Sequence, residues 1–182
     1  MIFMASGSSI VAAQMEPQEF GVYFGGTVLP PKEEAPEGGS WVAKHEMTGW
    51  SVIKTHDTTF ADRFIKDNAE DFDGLFLAST VLYDTNKSWL ASYYDGECTW
   101  SVTHDGSSGD KYHLEIDGEP PSLLDAIQGE YHALVDAQDD GDPVDWGREI
   151  PDALLETLIG MGHDLELCAP EVLAYYELRR TK

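Results

Sequence analysis

The hydrophobic pattern of the chain changes at Pro120. Before this residue, short runs rich in β-branched and aromatic side chains are separated by turn sequences such as Asp95-Gly96, which is typical of antiparallel strands. After it, Leu124, Ile127 and Tyr131 recur with the period of a helix. Strands followed by helices predict an α+β fold, in which an antiparallel meander carries C-terminal helices packed on one face.

Turn, proline and capping residues set the expected boundaries of these elements. The run 75–82 fits either a strand or a helix. Strands are otherwise expected at 41–45, 50–54, 89–94, 99–105 and 112–116. Helices are expected from Thr58 or Thr59 to about Ala69, after Ser122, from Pro151 to Gly160, and from Pro170 to Arg179 and Arg180.

A chain of 182 residues can bury a core large enough for one domain, 1–182. No signal peptide is expected in residues 1–14, because serines interrupt the apolar run and no basic residues precede it. Met15 is an alternative start, and residues 1–14 are then expected to be a loosely held N-terminal extension. Residues 29–40 contain three prolines and no hydrophobic period, so they are predicted to form a loop. Two cysteines without a secretion signal indicate a reducing cytoplasm.

The chain is strongly acidic, with 11 Lys and Arg residues against 34 Asp and Glu residues and a formal net charge of −23. Direct binding to nucleic acid or to an anionic membrane is not expected, because both need cations to neutralise phosphates. No apolar run is long enough for a membrane-spanning helix. The same charge attracts basic proteins and raises their rate of encounter, so a basic protein is the expected partner.

Two histidines flank the turn that follows the run 99–105. Aligning the apolar residues of this run with those of 112–116 places His104 opposite Leu114. His104 is then predicted to be a structural, hydrogen-bonded side chain on the inner rim of the sheet. His113 is predicted to face solvent, and no metal site is expected from this pair.

A run of acidic residues follows the helix expected after Ser122. It fails as a calcium-binding EF-hand loop, because Gln138 and Gly147 stand where two of the required ligands belong. The run is either a solvated linker or a surface that faces a partner. As a partner-binding surface it would consist of Asp136, Asp139, Asp140, Asp142 and Asp145.

Catalytic signatures do not emerge from the sequence. Ser51 and Lys54 match the spacing of a serine–lysine nucleophile motif, but a strand would point their side chains to opposite faces. Phosphate-cradling loops and zinc-hydrolase motifs do not occur. We therefore expect no catalytic residues, no cofactor and no metal.

The motif Trp100-Ser101-Val102-Thr103-His104-Asp105-Gly106, followed by His113-Leu114, Gly118 and Pro120-Pro121, resembles a pattern in uncharacterised bacterial proteins. The similarity extends over about 41–164 and implies no particular activity. In size, acidity and α+β build the chain is also similar to immunity proteins of bacterial toxin systems, which are cytoplasmic inhibitors that plug a toxin. This second likeness brings no functional residues with it.

The expected function is therefore that of a non-enzymatic acidic protein-binding module, in particular an immunity-type inhibitor of a toxin. One alternative is a carboxylate-based hydrolase, and a large cleft with convergent carboxylates of raised pKa would favour it. The other alternative is a mimic of DNA charge that blocks a nucleic-acid-binding protein. A broad acidic face rimmed by aromatic side chains would favour a binding protein.

Overall fold

Nine strands form one antiparallel sheet in the computed structural model, which describes residues 7–32, 40–139, 144–163 and 173–180. The strands are β1 (Gly7–Ala13), β2 (Gly26–Lys32), β3 (Ser40–His45), β4 (Ser51–Thr55), β5 (Leu75–Leu82), β6 (Lys87–Tyr94), β7 (Glu97–Asp105), β8 (Glu115–Gly118) and β9 (Leu173–Arg180). Four helices accompany them in the same ranges: α1 (Pro17–Val22), α2 (Phe60–Asn68), α3 (Leu123–Asp136) and α4 (Glu149–Ile159).

The strands lie in the order β2-β9-β3-β4-β1-β5-β6-β7-β8. From β5 to β8 each strand pairs with the next one along the chain, as a meander requires. In the other half, β9 lies between β2 and β3, and β1 lies between β4 and β5. The mixed fold with an antiparallel sheet agrees with the prediction, whereas a meander is not confirmed for the sheet as a whole.

The first described strand is the centre of the sheet. Val11 lies opposite Ile53 on one side and Ala78 on the other, and all seven residues of β1 are buried. The expectation of a loose extension over 1–14 is therefore wrong for residues 7–13, while residues 1–6 lie outside the described ranges. Ser9 fits this buried position because its hydroxyl hydrogen-bonds to that of Thr80 at 2.9 Å.

The last described element is also a strand, where a helix from Pro170 was predicted. Tyr175 packs into the core on one side of the sheet, and Tyr176 and Leu178 pack on the other. This alternation belongs to a strand buried on both faces. Residues 164–172 lie outside the described ranges, and so do residues 33–39 of the predicted loop 29–40. The remainder of that loop lies in β2 and at the start of β3.

Helices cover both faces of the sheet. On one face, α3 and α4 contribute Leu124, Leu154 and Leu155 to the core, in agreement with the predicted C-terminal helices. On the other face, α1 and α2 contribute Phe20 and Phe64, so the helices are not confined to one face. Within the described residues, no helix is both long and apolar enough to cross a membrane.

Candidate functional site

Asp136, Asp145 and the two histidines lie where the end of β7, the segment before β8 and the C-terminal end of α3 come together. The exposed part of this region is here called the acidic surface, defined as Tyr112, Asp136 and Asp139. Its structural base is His104, the penultimate residue of β7, which is fully buried.

The His104 imidazole is held by two acceptors. Its Nδ1 lies 2.7 Å from the carbonyl oxygen of His113, and its Nε2 lies 3.0 Å from Oδ2 of Asp145. The carbonyl oxygen can only accept, so Nδ1 donates to it, and Nε2 shares a second hydrogen bond with the Asp145 carboxylate. The pair ties the end of the sheet to the segment that leads into α4.

Two glycines make room for this pair. A Cβ atom at Gly147 would lie 2.5 Å from Cε1 of His104, and one at Gly106 would lie 2.6 Å from Oδ2 of Asp145. Both distances are shorter than real Cβ contacts, so side chains at these positions would displace the pair. The other carboxylate oxygen of Asp145 is buried without a hydrogen-bond partner, which makes the carboxylate dependent on His104.

The hairpin has the register expected from its apolar residues. Val102 lies opposite Ile116 and Thr103 opposite Glu115, and continuing this register brings His104 beside Leu114. The prediction of a structural His104 is confirmed. The prediction that His113 faces solvent is wrong, because its side chain is 20% exposed and its Nδ1 accepts a hydrogen bond from the backbone N–H of Asp105 at 3.0 Å.

Tyr112 is the anchored aromatic residue of the acidic surface. It is 44% exposed, and its hydroxyl donates to Oδ1 of Asp136 at 2.5 Å. Its ring meets the imidazole of His132 edge to face, with the ring centres 5.1 Å apart. The hydrogen bond to Asp136 raises the pKa of the Tyr112 phenol. Two residues of α3, His132 and Asp136, thus fix the direction of the exposed Tyr112 side chain.

The five predicted partner-binding aspartates do not behave alike. Asp136 and Asp139 are exposed at the end of α3. Asp145 is bound to His104 and its side chain is 15% exposed, so it lies beneath the acidic surface and helps to hold its residues in place. Asp140 and Asp142 lie outside the described residues. Tyr112 was not predicted as a site residue, because no local sequence pattern links it to Asp136, which lies in another element.

A second polar cluster lies inside the molecule, where Ser8 of β1 and Ser79 of β5 bind opposite nitrogens of His163. The Ser79 hydroxyl donates to the carbonyl oxygen of Trp89 at 2.8 Å, so it must accept from Nε2 of His163 at 2.9 Å. The other nitrogen, Nδ1, then accepts from the Ser8 hydroxyl at 2.7 Å. His163 is neutral in this arrangement, and burial lowers its pKa to about 3.

Asp152 of α4 adjoins this cluster. Its Oδ1 accepts from the backbone N–H of His163 at 2.8 Å, and Lys54 donates to the carbonyl oxygen of the same residue. Burial is the main cause that raises the pKa of Asp152 to about 6, and the nearby carboxylates of Glu149 and Glu156 contribute to this value. Ser8 and His163 are each 2% exposed, so this serine–histidine pair is closed to substrate and joins α4 to the sheet.

Replacing Asp152 with Asn is expected to stabilise the protein by about 1 to 3 kcal/mol at pH 7 and to change little at pH 4. The folded pKa is above the ordinary value of 3.8, so ionisation makes folding less favourable as pH rises from about 4 to 6. An Asn side chain still accepts from His163 N–H. Urea unfolding at several pH values measures the difference.

The exposed Glu130→Gln variant is the control for this pH dependence, because Glu130 is not among the charges that shift the pKa of Asp152, and its stability relative to the natural protein should stay nearly constant. His163 contributes with the opposite sign, since its lowered pKa makes the folded state gain stability as pH rises from about 3 to 6.5. In the Asp152→Asn variant, the loss of stability caused by Asp152 ionisation is absent, so only the gain from His163 remains. Equal effects of Asp152→Asn at pH 4 and pH 7 would contradict the burial of an ionised carboxylate.

The fold and the site thus define a mixed α and β protein with helices on both faces of an antiparallel sheet and an acidic surface at one end of it. Comparison with known proteins adds no relative: no family model, no curated protein and no solved structure matches the chain. Among the described residues, no group of three or more His, Cys, Asp or Glu side chains is arranged to hold a metal ion.

Proposed function

We propose that the chain is a non-enzymatic acidic protein-binding module that acts as an immunity-type inhibitor of a basic toxin. The observation that carries the proposal is Tyr112, an exposed aromatic side chain held in a fixed direction by Asp136 within an acidic surface. Tyrosines of this kind form the energetic centres of protein interfaces, because they bury a large area with little loss of side-chain entropy.

The charge of the molecule supports a basic partner. A net charge of −23 accelerates the approach of a cationic protein. The carboxylate of Asp136 holds the anchored tyrosine, and the exposed Asp139 follows Asp136 by three residues. Arg and Lys side chains of the partner can pair with these carboxylates at the rim. The tyrosine then supplies contact area at the centre of the surface.

The alternative of a carboxylate-based hydrolase has weaker support. Asp152 of α4, whose pKa is raised, already accepts a hydrogen bond from the backbone N–H of His163. A groove of about 210 Å³ between α1 and α2 is lined mainly by aromatic rings, and its Arg63 is already paired with Asp57 at 2.6 Å. That groove therefore offers an aromatic lining and not the pair of carboxylates that such a reaction needs.

A mimic of DNA charge belongs to the same class of binding protein and would use the same acidic surface. The nature of the captured partner distinguishes it from a toxin inhibitor: a nucleic-acid-binding protein that loses its DNA in the complex supports mimicry. The cytoplasmic location expected from the two cysteines is part of the proposal in both cases.

The test is to capture a basic partner from the producing cell and to measure its association with surface variants. The paired change Asp136→Asn and Asp139→Asn should lower the association rate several-fold at about 0.01 M salt, since rim charges act on encounter. Dissociation should change less, because an asparagine amide oxygen still accepts from the Tyr112 hydroxyl. Tyr112→Ala should instead raise the dissociation rate about tenfold, as expected for the loss of an interface anchor.

A matched pair of substitutions controls for net charge. Glu70→Gln and Asp73→Asn remove the same number of charges from exposed positions after α2, away from the acidic surface. This control should change the association rate far less than the Asp136 and Asp139 pair. If both pairs of substitutions lower the association rate equally, the net charge attracts the partner without a specific surface. Failure to capture any basic partner would contradict the proposal.

A further inference from the structure

The sheet has two outer strands in the described part of the chain, β2 and β8. Such a strand pairs on one side and leaves a row of backbone N–H and C=O groups on the other, which can pair with another extended chain. All four residues of β8 are exposed. Proteins that keep such edges must protect them from unwanted pairing, and the two edges here are protected by different means.

The β2 edge is closed by its backbone. Pro30 and Pro31 have no N–H to donate, and the pairing of β2 with β9 shifts register between Val28 and Pro31. An incoming strand would meet missing donors and an irregular spacing of acceptors. This protection acts against every strand, whatever its charge.

The β8 edge is short and is protected by charge. Its sequence, Glu-Ile-Asp-Gly, contains no proline, so the residues that do not bond to β7 keep their outward backbone donors. The side chain of Glu115 is 77% exposed, and Asp117 is exposed as well. These carboxylates repel a second copy of the chain, which carries the same net charge of −23, but they attract a cationic strand.

The pleat of β8 specifies the side chains that a paired strand should carry. Ile116 lies opposite Val102 on the face covered by α3 and α4, yet it is 46% exposed because no strand lies beyond it. Glu115 and Asp117 point to the other face, with Thr103 and Ser101. An added strand would place an apolar residue beside Ile116 and a cation beside each carboxylate.

We propose that β8 binds an extended segment of the basic partner as a strand added beside the nine described ones. This segment contains a cation–apolar–cation triplet whose apolar residue lies beside Ile116. The inference rests on the proposed function and specifies how the partner binds. The acidic surface supports it geometrically, because the anchored Tyr112 lies three residues before β8 and would contact the partner next to the added strand. Backbone hydrogen bonds supply affinity, and the triplet supplies specificity.

The first test uses the unmodified protein and fluorescent ten-residue peptides at about 0.01 M salt, where charge attraction extends furthest. One peptide carries a central Lys-Val-Lys triplet, a second has the same composition with the valine moved by one position, and a third repeats the first with N-methylated backbone amides. The first peptide should bind about tenfold more tightly than the other two, because each of them loses register or backbone hydrogen bonds. Amide signals of β8 should shift in its nuclear magnetic resonance spectrum.

The second test reverses the charges of the edge. Glu115→Lys with Asp117→Lys should transfer the preference to a Glu-Val-Glu peptide, and Glu70→Lys with Asp73→Lys is the control with the same change in net charge. Equal binding of the N-methylated peptide would overturn strand addition while leaving the proposed function intact. Self-association of the natural protein through β8 would also overturn it, since the occupant would then be a second copy. Failure to capture a basic protein partner would contradict the proposed function, independently of the results with the peptides.

Discussion

A chain that begins at Met15 is expected to lose its cooperative fold. The truncation removes β1, which pairs with both β4 and β5 at the centre of the sheet. Ile10 and Val11 are fully buried in opposite core layers, and burial of each such side chain stabilises a protein by about 1.5 to 3 kcal/mol. Together with the lost pairing to both β4 and β5, this loss is comparable to the usual stability margin of about 5 to 15 kcal/mol.

Circular dichroism and urea unfolding measure the effect of this truncation. The full-length Val11→Ala variant is the graded control: it leaves a small cavity and should keep a cooperative transition with lower stability. Adding a synthetic peptide of residues 1–14 to the truncated chain should restore the strand and the transition. A truncated chain that unfolds with the same midpoint as the full-length protein would contradict the central position of β1.

Replacing His104 with Ala is expected to destabilise the protein by about 3 to 5 kcal/mol, because the buried Asp145 carboxylate loses its hydrogen-bond partner. The substitution also leaves the carbonyl of His113 without its donor at 2.7 Å. His113→Ala should cost about 1 to 2 kcal/mol, since this side chain is partly exposed and accepts one backbone hydrogen bond. Thermal and urea unfolding of both variants compare these costs.

The double variant His104→Ala with Asp145→Asn separates charge from packing. Removing the carboxylate charge should recover about 1 to 2 kcal/mol of the loss, because an uncharged amide is less costly to bury. Equal losses of stability in His104→Ala and His113→Ala would contradict the pairing of His104 with Asp145. A double variant that is no more stable than His104→Ala would contradict it as well.

The parts of the fold that could be predicted from the sequence are those whose partners are close along the chain. The hairpin of β6 and β7 follows from Asp95-Gly96, which both take the positive φ angles of a two-residue turn. The register of β7 and β8 follows from matching their apolar residues. Helices α3 and α4 follow from period and proline position, because a helix satisfies its own backbone.

The parts that could not be predicted depend on distant partners. Ser8 and Ser9 interrupt the apolar run of β1, and their burial is favourable because Thr80 and His163 satisfy their hydroxyl groups. The acidic run was visible in the sequence, but the difference between exposed Asp136 and internal Asp145 was not. That difference comes from His104, which lies in another element.

The position of β9 has a consequence for the order in which a nascent chain can assemble. The strands β5 to β8 are joined by short connections and can form their hairpins as soon as they leave the ribosome. By contrast, β2 and β3 are separated in the sheet by β9, which is synthesised last of the described elements. Until β9 has been made, β2 therefore has no partner strand and β3 is paired only with β4. The mutual repulsion of acidic nascent chains on a polysome would keep these open edges from joining those of a neighbour.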